Sequence, residues 1–524
     1  MNVWIVTREY AGLAEAGGVK NVSRSLAEAL TEKGCKVTVF IPFYGCTCTD
    51  FLENKLDKIS KDVFFSIQKT EISVSYHTGS RNGVSFVLVD APCFKEKQSV
   101  YTYTDEDEKK SPLHKAGEGF EDWLLMDIVF QKAAVFASKF LTEKPDIIHC
   151  QDAACALTPV FIENIKYFPE CSRSFYKKTE HIVTIHNAGP GYLHDFSSLE
   201  EAVSYTALPA KILKKGLVEK RIDPFLLASV YSSLTTVSPW YAQEILNGQT
   251  DTQGLGQELK KRSVTIKGIC NGIDFSLYDT SDTQKSLLPF AYKPSDGDLE
   301  GKSRCRDYFL QKHASKDSLE FNRECSLMQF GFIEADSQNK VFIAYHGRIV
   351  HQKGIDVLEK AARICLKKST DVCFILAGQG FPALEELLEN LAEDFKGRVV
   401  YLKGYDRAVS RLCIAAADFS LHPSCFEPCG LEDFIAQILG TIPVANATGG
   451  LRKIIDKKTG FLYSPNTPEK LSETLLSLSD TQTASGKRVF YPMISNAAES
   501  VKNDFSWKNI IQKEYFPFYN SLIK

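Results

Sequence analysis

The sequence lacks the long apolar runs and the charge excess that mark membrane proteins and nucleic-acid-binding proteins. No apolar run approaches the roughly 18 to 20 residues that a membrane-spanning helix requires. The first segment, MNVWIVTREY, has a short apolar run with no basic segment ahead of it, which predicts a β-strand and not a signal peptide. A formal net charge of -3 gives no reason to expect a nucleic-acid footprint or a membrane-surface patch. These absences predict a cytoplasmic protein with no membrane or nucleic-acid partner.

The sequence also lacks the ligand spacings of zinc sites and of disulfide frameworks. The fifteen cysteines are scattered and odd in number, Cys46 and Cys48 form the closest pair, and no CxxC is matched by a second CxxC or by spaced histidines. We therefore expect reduced thiols and no metal. The DxD pattern within Thr104–Glu108 stands next to Lys109 and Lys110 among turn residues, which predicts a solvated loop instead of a divalent-metal site.

What the sequence does have is an alternation of predicted strands and helices over 524 residues, enough for two or three domains. Residues 1–45 predict a βαβ unit whose helix follows Gly17 and Gly18, where backbone amides could approach a diphosphate. From Lys340 onward, nearly continuous apolar runs alternate with helices, which implies a parallel sheet covered on both faces. The polar, weakly periodic stretch from His313 to Asn339 predicts a surface insertion. The predicted fold class is therefore α/β.

The stretch from Asp418 to Leu451 combines predicted strands with polar, glycine-rich turns. It predicts a strand over Phe419 to His422, a polar turn that contains Glu427, a helix from about Leu431 to Leu439, and a strand over Ile442 to Ala445. A second glycine-rich turn follows that strand. Such turns, at the carboxyl ends of strands, bind phosphorylated ligands because they present backbone amides and helix N-termini. Two ordinary strand-to-helix connections remain the alternative.

The segment FEPCGLEDFIAQILGTIPVANATGGL resembles the nucleotide-sugar signature of the glycogen and starch synthases, which are retaining glycosyltransferases of the GT-B arrangement. The resemblance covers nearly the whole chain, but it is thin over residues 46–120 and absent over 313–339. It implies two Rossmann-like domains whose parallel sheets face each other across a deep cleft. The implied domains are an N-terminal acceptor domain (1–267), a C-terminal nucleotide-sugar domain (268–500, with the insertion at about 313–339), and a C-terminal helix (501–524) that packs back on the N-terminal domain.

The resemblance also implies which residues carry the chemistry. Arg348 and Lys353 match the family's Arg-x4-Lys-Gly clamp, where a guanidinium and an ammonium bind the leaving diphosphate. Glu427 is expected to hydrogen-bond sugar hydroxyls and to balance charge at the anomeric carbon, and His186 and Asp152 are expected to complete the catalytic set from the N-terminal domain. The implied substrate-binding residues, with Tyr405 stacked on the nucleotide base, are Gly17, Gly18, Asn187, Tyr405, Cys429, Gly430, Leu431, Thr448, Gly449 and Gly450.

The sequence departs from the family pattern at two places in the N-terminal domain. The family's Lys-x-Gly-Gly-Leu loop reads Glu15-Ala-Gly-Gly-Val here, and its His-Asp-Trp-His reads Gln151-Asp-Ala-Ala154. A carboxylate beside a diphosphate would repel it, so either Glu15 faces elsewhere or this site works differently. Lys20, one helical turn along, is a candidate to restore the positive charge.

The implied activity is transfer of glucose from ADP-glucose to the non-reducing end of glycogen or a malto-oligosaccharide, with retention of configuration. No cofactor or metal is implied, since cationic side chains are expected to stabilise the leaving group. UDP-glucose as donor and a small glycoside as product remain alternatives. A catalytically inactive glucan-binding regulatory protein is the alternative from another class. Glu15 and the altered Gln151-Asp-Ala-Ala154 favour it, whereas the joint presence of Arg348, Lys353, Glu427 and His186 favours the enzyme.

Overall fold

The computed structural model describes residues 1–59, 62–111, 113–168, 171–334 and 340–523. The chain forms two compact units, the first made of Met1–Gly272 together with Trp507–Lys524 and the second of Ile273–Ser506. The sequence had placed these divisions after residues 267 and 500. None of the described helices is long and apolar enough to cross a lipid bilayer.

The first unit is built from an alternation of strands and short helices. Its strands are β1 (Asn2–Val6), β2 (Lys36–Pro42), β3 (Asp57–Lys58), β4 (Val63–Ile67), β5 (Thr70–Arg81), β6 (Val84–Asp90), β7 (Ile147–Gln151), β8 (Glu180–Ile185), β9 (Leu217–Val218), β10 (Arg221–Ile222), β11 (Ser233–Thr236) and β12 (Ile266–Gly268). Its helices up to Gly272 are α1 (Val19–Glu32), α2 (Pro92–Lys95), α3 (Asp105–Lys110), α4 (Trp123–Phe136), α5 (Thr158–Glu163), α6 (Leu199–Thr206), α7 (Ala210–Leu213), α8 (Pro224–Ala228), α9 (Pro239–Asn247) and α10 (Leu255–Lys261).

The main sheet of the first unit follows the order β12-β11-β8-β7-β1-β2-β6-β5-β3, with β4 paired to β5. The strands from β12 to β6 in this order run parallel, whereas β5 pairs antiparallel with β6, β3 and β4. Val3 to Val6 in β1 are all buried, as expected for a parallel strand that is covered on both faces. The carboxyl ends of β7, β1 and β8 therefore share one edge of the sheet.

The second unit is a regular α/β layer structure. Its strands are β13 (Leu327–Ile333), β14 (Val341–His346), β15 (Val372–Gly378), β16 (Arg398–Gly404), β17 (Phe419–His422), β18 (Ile442–Asn446) and β19 (Phe461–Tyr463). Its helices are α11 (Thr283–Ser286), α12 (Glu300–Lys312), α13 (Leu319–Glu324), α14 (Ile355–Lys368), α15 (Pro382–Asp394), α16 (Arg407–Ala416), α17 (Glu432–Ile438), α18 (Pro468–Ser485) and α19 (Tyr491–Asp504). The sheet order is β13-β16-β15-β14-β17-β18-β19, and all pairs except β13 with β16 are parallel.

The stretch from His313 to Asn339, predicted to be a surface insertion, contains an edge strand in its described part. His313 is buried, and β13 pairs antiparallel with β16 from Leu327 opposite Gly404 to Ile333 opposite Arg398. Only the two end residues of β13 are buried. Its sequence, LMQFGFI, also lacks the strict alternation of apolar and polar residues that predicts a strand. Residues 335–339 lie outside the described part of the chain.

The predicted loop at Thr104–Glu108 is instead the start of helix α3. Thr104 accepts a hydrogen bond from the amide of Asp107 (3.3 Å), and the Asp107 carboxylate accepts one from the amide of Thr104 (2.9 Å). This reciprocal capping box satisfies two helix-terminal amides, which outweighs the turn preference of the neighbouring residues.

The last helices of the chain belong to the first unit. They are α20 (Trp507–Ile510) and α21 (Phe516–Leu522), joined by a π-helical turn over Ile511–Tyr515. His149 in β7 holds them to the sheet, because its Nδ1 atom is 2.6 Å from the Tyr519 hydroxyl and its Nε2 atom 2.6 Å from the Thr184 hydroxyl. Burial lowers the pKa of His149 to about 3, so this imidazole is neutral in the folded unit.

Candidate functional site

A cavity of about 340 Å³ lies in the second unit at the carboxyl ends of β14 and β17, and we call it the carboxyl-end cavity. Parallel α/β sheets bind their ligands at this edge because loops and helix N-termini converge there. Four predicted residues line it: Lys353, Glu427, Gly430 and Leu431. Other lining residues, which the sequence did not single out, include His346, His422, Ser424, Glu432 and Asp433.

Lys353 and Glu427 form the central ion pair of the carboxyl-end cavity. The Lys353 ammonium donates to Glu427 Oε2 at 2.5 Å, and the Ser424 hydroxyl donates to the same oxygen at 3.0 Å. Burial acts to raise the pKa of Glu427, but the Lys353 charge and these two hydrogen bonds outweigh it and hold the pKa below its usual range. Glu427 is therefore a carboxylate, which can only accept hydrogen bonds.

A second ion pair, between Lys453 and Asp433, was not predicted from the sequence. Both side chains are essentially fully buried, and Lys453 Nζ lies 2.8 Å from Asp433 Oδ1 while donating to the carbonyls of Cys429 (2.6 Å) and Gly430 (2.9 Å). Burial raises the pKa of Asp433 to about 6, and Lys453 opposes this rise. The lysine thus joins the turn after β17 to the 3₁₀ segment Gly449–Lys453.

The two glycine-rich turns pack directly on each other. A Cβ on Gly450 would lie 2.1 Å from the Cys429 carbonyl oxygen, so only glycine fits there. The Gly450 amide also donates to the backbone carbonyl of Glu427 at 2.8 Å. The predicted residues Cys429, Thr448, Gly449 and Gly450 are not among the lining residues, but their chain neighbours Gly430 and Leu451 are. In the structure, these four residues support the cavity wall from behind the lining residues.

Two histidines that end buried strands also line the cavity. His346 Nδ1 lies 3.3 Å from Glu432 Oε2, and His422 Nε2 lies 3.0 Å from the Ser420 hydroxyl. Burial lowers the pKa of His422 to about 4, so its imidazole is neutral at physiological pH. Their position as the last residue of β14 and β17 was the signal in the sequence that could have identified them.

The two remaining predicted residues of this unit, Arg348 and Tyr405, are exposed. Arg348 follows β14 by two residues and makes a long contact from Nη2 to Gln352 Oε1 (3.4 Å). The Tyr405 ring is 60% exposed, with its centroid 6.4 Å from that of His346. An exposed ring beside the cavity-lining His346 leaves a face available for stacking.

In the first unit, His186 and Asp152 come together at the carboxyl ends of β8 and β7. His186 Nε2 lies 2.8 Å from Gln151 Oε1, and its backbone amide donates to Asp152 Oδ1 at 3.3 Å. Burial lowers the pKa of His186 to about 4 and raises the pKa of Asp152 to about 7. Asp152 has a left-handed backbone with φ of 66°, a conformation that non-glycine residues adopt at a cost. Asn187 closes the adjacent turn by accepting from the Gly189 amide at 2.8 Å.

The glycine loop before α1 is occupied by carboxylates of the chain itself. Glu9, which the sequence analysis missed, accepts from the amides of Ala16 (3.2 Å) and Gly17 (2.6 Å). Glu15 accepts from the Gly12 amide at 2.6 Å and pairs with Lys20 at 2.9 Å. The Gly17 amide is therefore already bonded, and the positive charge of Lys20 is balanced by Glu15. Gly18 serves as the N-cap of α1 and is open to solvent.

Comparisons with known proteins agree along the whole chain. Residues 2–261 match the family described as starch synthase catalytic domain, and residues 340–481 match glycosyl transferases group 1. A glycogen synthase of Thermodesulfovibrio yellowstonii is 29% identical, with 100% of this chain and 98% of the relative covered.

The solved catalytic domain of starch synthase IV from Arabidopsis thaliana, bound to ADP and acarbose, is 23% identical, with a TM-score of 0.78 and coverage of 100% of this chain and 99% of that chain. Sucrose-phosphate synthase from Thermosynechococcus elongatus is 15% identical, with a TM-score of 0.54 and coverage of 99% and 98%. The predicted α/β fold of GT-B type is confirmed.

Proposed function

The chain belongs to the glycogen and starch synthase family of glycosyltransferases, and we propose that it extends an α-1,4-glucan with glucose from ADP-glucose, with retention of configuration. The observation that carries this proposal is the Lys353–Glu427 pair in a cavity at the carboxyl ends of parallel strands. A binding module for neutral glucan has no use for a partly buried cation placed where a diphosphate would enter.

The cations of the carboxyl-end cavity are proposed to stabilise the leaving group. When the glycosidic bond to the diphosphate breaks, negative charge builds on the departing phosphate oxygen. Lys353 is a point charge at the cavity, and Arg348 in the same loop is free to turn because its side chain is exposed and weakly held. A guanidinium binds phosphate through two parallel hydrogen bonds, so we assign Arg348 to the diphosphate and Tyr405 to the base.

Glu427 is proposed to change partners when the donor binds. A diphosphate that attracts Lys353 leaves the Glu427 carboxylate with Ser424 as its remaining side-chain donor. Sugar hydroxyls can then donate to the freed oxygen, and the negative charge can balance the positive charge that develops at the anomeric carbon. The lowered pKa means that Glu427 is already ionised, in its pair with Lys353, when the donor arrives.

His186 and Asp152 are the residues of the first unit that we propose for the glucan. The neutral imidazole of His186 and the carboxyl of Asp152 are suited to hydrogen bonds with sugar hydroxyls. We place the reaction in the cytoplasm, in keeping with fifteen cysteines that form no disulfide within the described residues.

A glucan-binding protein without transferase activity is the second candidate. The observation that favours it is the loop before α1, where Glu9 and Glu15 take up the amide and ammonium groups that a diphosphate would need. This candidate predicts glycogen binding without turnover.

The test is incorporation of radiolabelled glucose into glycogen from ADP-glucose and, separately, from UDP-glucose. The variant Glu427→Ala should abolish incorporation, whereas Glu473→Ala, which removes a largely exposed carboxylate of α18, should not. Incorporation from ADP-glucose alone supports the proposal in full, and incorporation from UDP-glucose alone corrects the donor. A folded protein that binds glycogen and incorporates neither label contradicts the transferase.

A further inference from the structure

A second cavity, of about 430 Å³, lies elsewhere in the second unit and shares no lining residue with the carboxyl-end cavity. Asp418, which lines it, directly precedes β17, and Ile442, which also lines it, is the first residue of β18. The cavity therefore lies at the amino ends of these parallel strands, at the opposite edge of the sheet. We call it the amino-end cavity, and the function proposed above makes no use of it.

The amino-end cavity collects three cationic side chains around one carboxylate. Lys302 and Arg306 come from successive turns of α12, and Lys487 comes from the 3₁₀ helix that follows α18. Arg306 Nη2 lies 2.7 Å from Asp418 Oδ1, and Lys487 Nζ lies 3.8 Å from Asp418 Oδ2. Lys302 is buried, and within the described part of the chain its hydrogen bonds go to neutral oxygens, the Ala415 carbonyl and the Thr441 hydroxyl, both at 2.7 Å.

The three cations of this cluster act on one another through their charges. Asp307, which does not line the cavity, also acts on Lys487 and favours its charged form. Burial, followed by the charge of Arg306, lowers the pKa of Lys302 to about 7 and that of Lys487 to about 8. Cations gathered in a partly dry cavity repel one another, and an anion between them would remove that cost.

The cavity also holds hydrogen-bond donors that the described residues leave available. Gln482 of α18 lines it, is 4% exposed, and its Nε2 atom has no hydrogen-bond partner within the described residues. A buried amide without a partner is costly, so such groups mark places where a ligand or water is bound. Lys302 engages two of its three ammonium hydrogens in the hydrogen bonds given above, which leaves one for an incoming acceptor.

We propose that the amino-end cavity binds a small phosphate dianion, either inorganic phosphate or a phosphate monoester, between Lys302, Arg306, Lys487 and the Gln482 amide. Phosphate is preferred to a monoanion because several cations and one neutral donor converge, and because it offers enough oxygens for all of them. Phe490, Tyr491 and Ile494 form an apolar part of the lining, which accommodates the organic part of an ester. Binding links α12, α18 and α19 to the sheet and so stabilises the second unit.

The proposal is tested by isothermal titration calorimetry of the full chain with inorganic phosphate and with ribose 5-phosphate, at constant ionic strength held with KCl. Because phosphate also has affinity for the carboxyl-end cavity, each titration is run on Lys353→Gln as well as on the wild type. The site-directed variants are Lys487→Gln and Gln482→Leu, of which the first changes a side chain that is only partly buried. Circular dichroism verifies that every variant is folded.

We expect binding that persists in Lys353→Gln and weakens at least about tenfold in Lys487→Gln and in Gln482→Leu. Tighter binding of ribose 5-phosphate than of phosphate identifies a monoester as the ligand, and equal or weaker binding identifies inorganic phosphate. The proposal is overturned if neither compound binds, if KCl alone reproduces the heat, or if binding is lost in Lys353→Gln but unchanged in the two amino-end variants.

Discussion

The Lys353–Glu427 pair should show strong energetic coupling, which a double-mutant cycle can measure. The two charges are 2.5 Å apart, and their side chains are 19% and 12% exposed. At an effective dielectric constant of about 20, a pair at this distance gains about 7 kcal/mol of Coulomb energy, most of which desolvation offsets. Residues in such direct contact show coupling of about 0.5–3 kcal/mol, and the short distance and low exposure place this pair at the upper end.

The cycle uses Lys353→Met, Glu427→Gln and the double variant, each assayed for initial rates of glucose incorporation and for stability against urea. We expect each single variant to lose about 10²–10³ in kcat, because each removes a charge that acts on the transition state. The double variant should lose little more than either, since the two residues act together.

The exposed pair Lys470 and Glu473 in α18, 3.0 Å apart, is the matched control. Its coupling in the urea experiment should stay below about 1 kcal/mol. Additive losses in kcat for Lys353 and Glu427, to within about 0.5 kcal/mol, would refute the view that they form one functional unit.

Three further predictions concern other charged groups. Lys453→Met should destabilise the protein by about 3–5 kcal/mol at pH 8, because it leaves Asp433 buried without its cation. Because its pKa is raised, protonated Asp433 stabilises the folded state at low pH, and this contribution is lost as pH rises through about 6. The difference in unfolding free energy between the wild type and Lys453→Met, measured in urea, should therefore be smaller at pH 5 than at pH 8. A difference that does not change with pH would contradict this. Glu15→Lys should lower KM for ADP-glucose, since it removes the carboxylate that neutralises Lys20; an unchanged KM would show that this loop does not meet the donor. kcat/KM should rise with pH through about 7 as Asp152 ionises, and Asp152→Asn should abolish that inflection while leaving the rest of the profile intact.

The parts of the fold that sequence reasoning predicted are those with strong local patterns. Strands such as β14 and β15 are unbroken apolar runs, and their burial on both faces follows from that pattern alone. Lys353 and Glu427 were identified because each lies in a short motif beside such a strand. The edge strand β13 was missed, since a half-exposed strand at a sheet edge needs little hydrophobic alternation.

The residues that reasoning from sequence missed are partners at a distance along the chain. Lys453 is twenty positions from Asp433, and Glu9 binds amides seven and eight positions ahead. Each looks like an ordinary surface charge in the sequence, because charged residues are rarely buried. Only the packing of two turns, or the folding back of a loop, shows that these charges are enclosed and bonded.

The anchoring of α21 on His149 has a consequence for how the chain is made. The second unit is one uninterrupted segment, whereas the first unit is assembled from two segments that flank it. During synthesis the ribosome therefore releases all of the second unit before Tyr519 exists to meet the imidazole in β7. Until then, the Nδ1 atom of His149 in the sheet of the first unit lacks its Tyr519 partner, whereas the whole segment of the second unit is available to fold. The first unit thus begins before the second unit during synthesis but is completed after it.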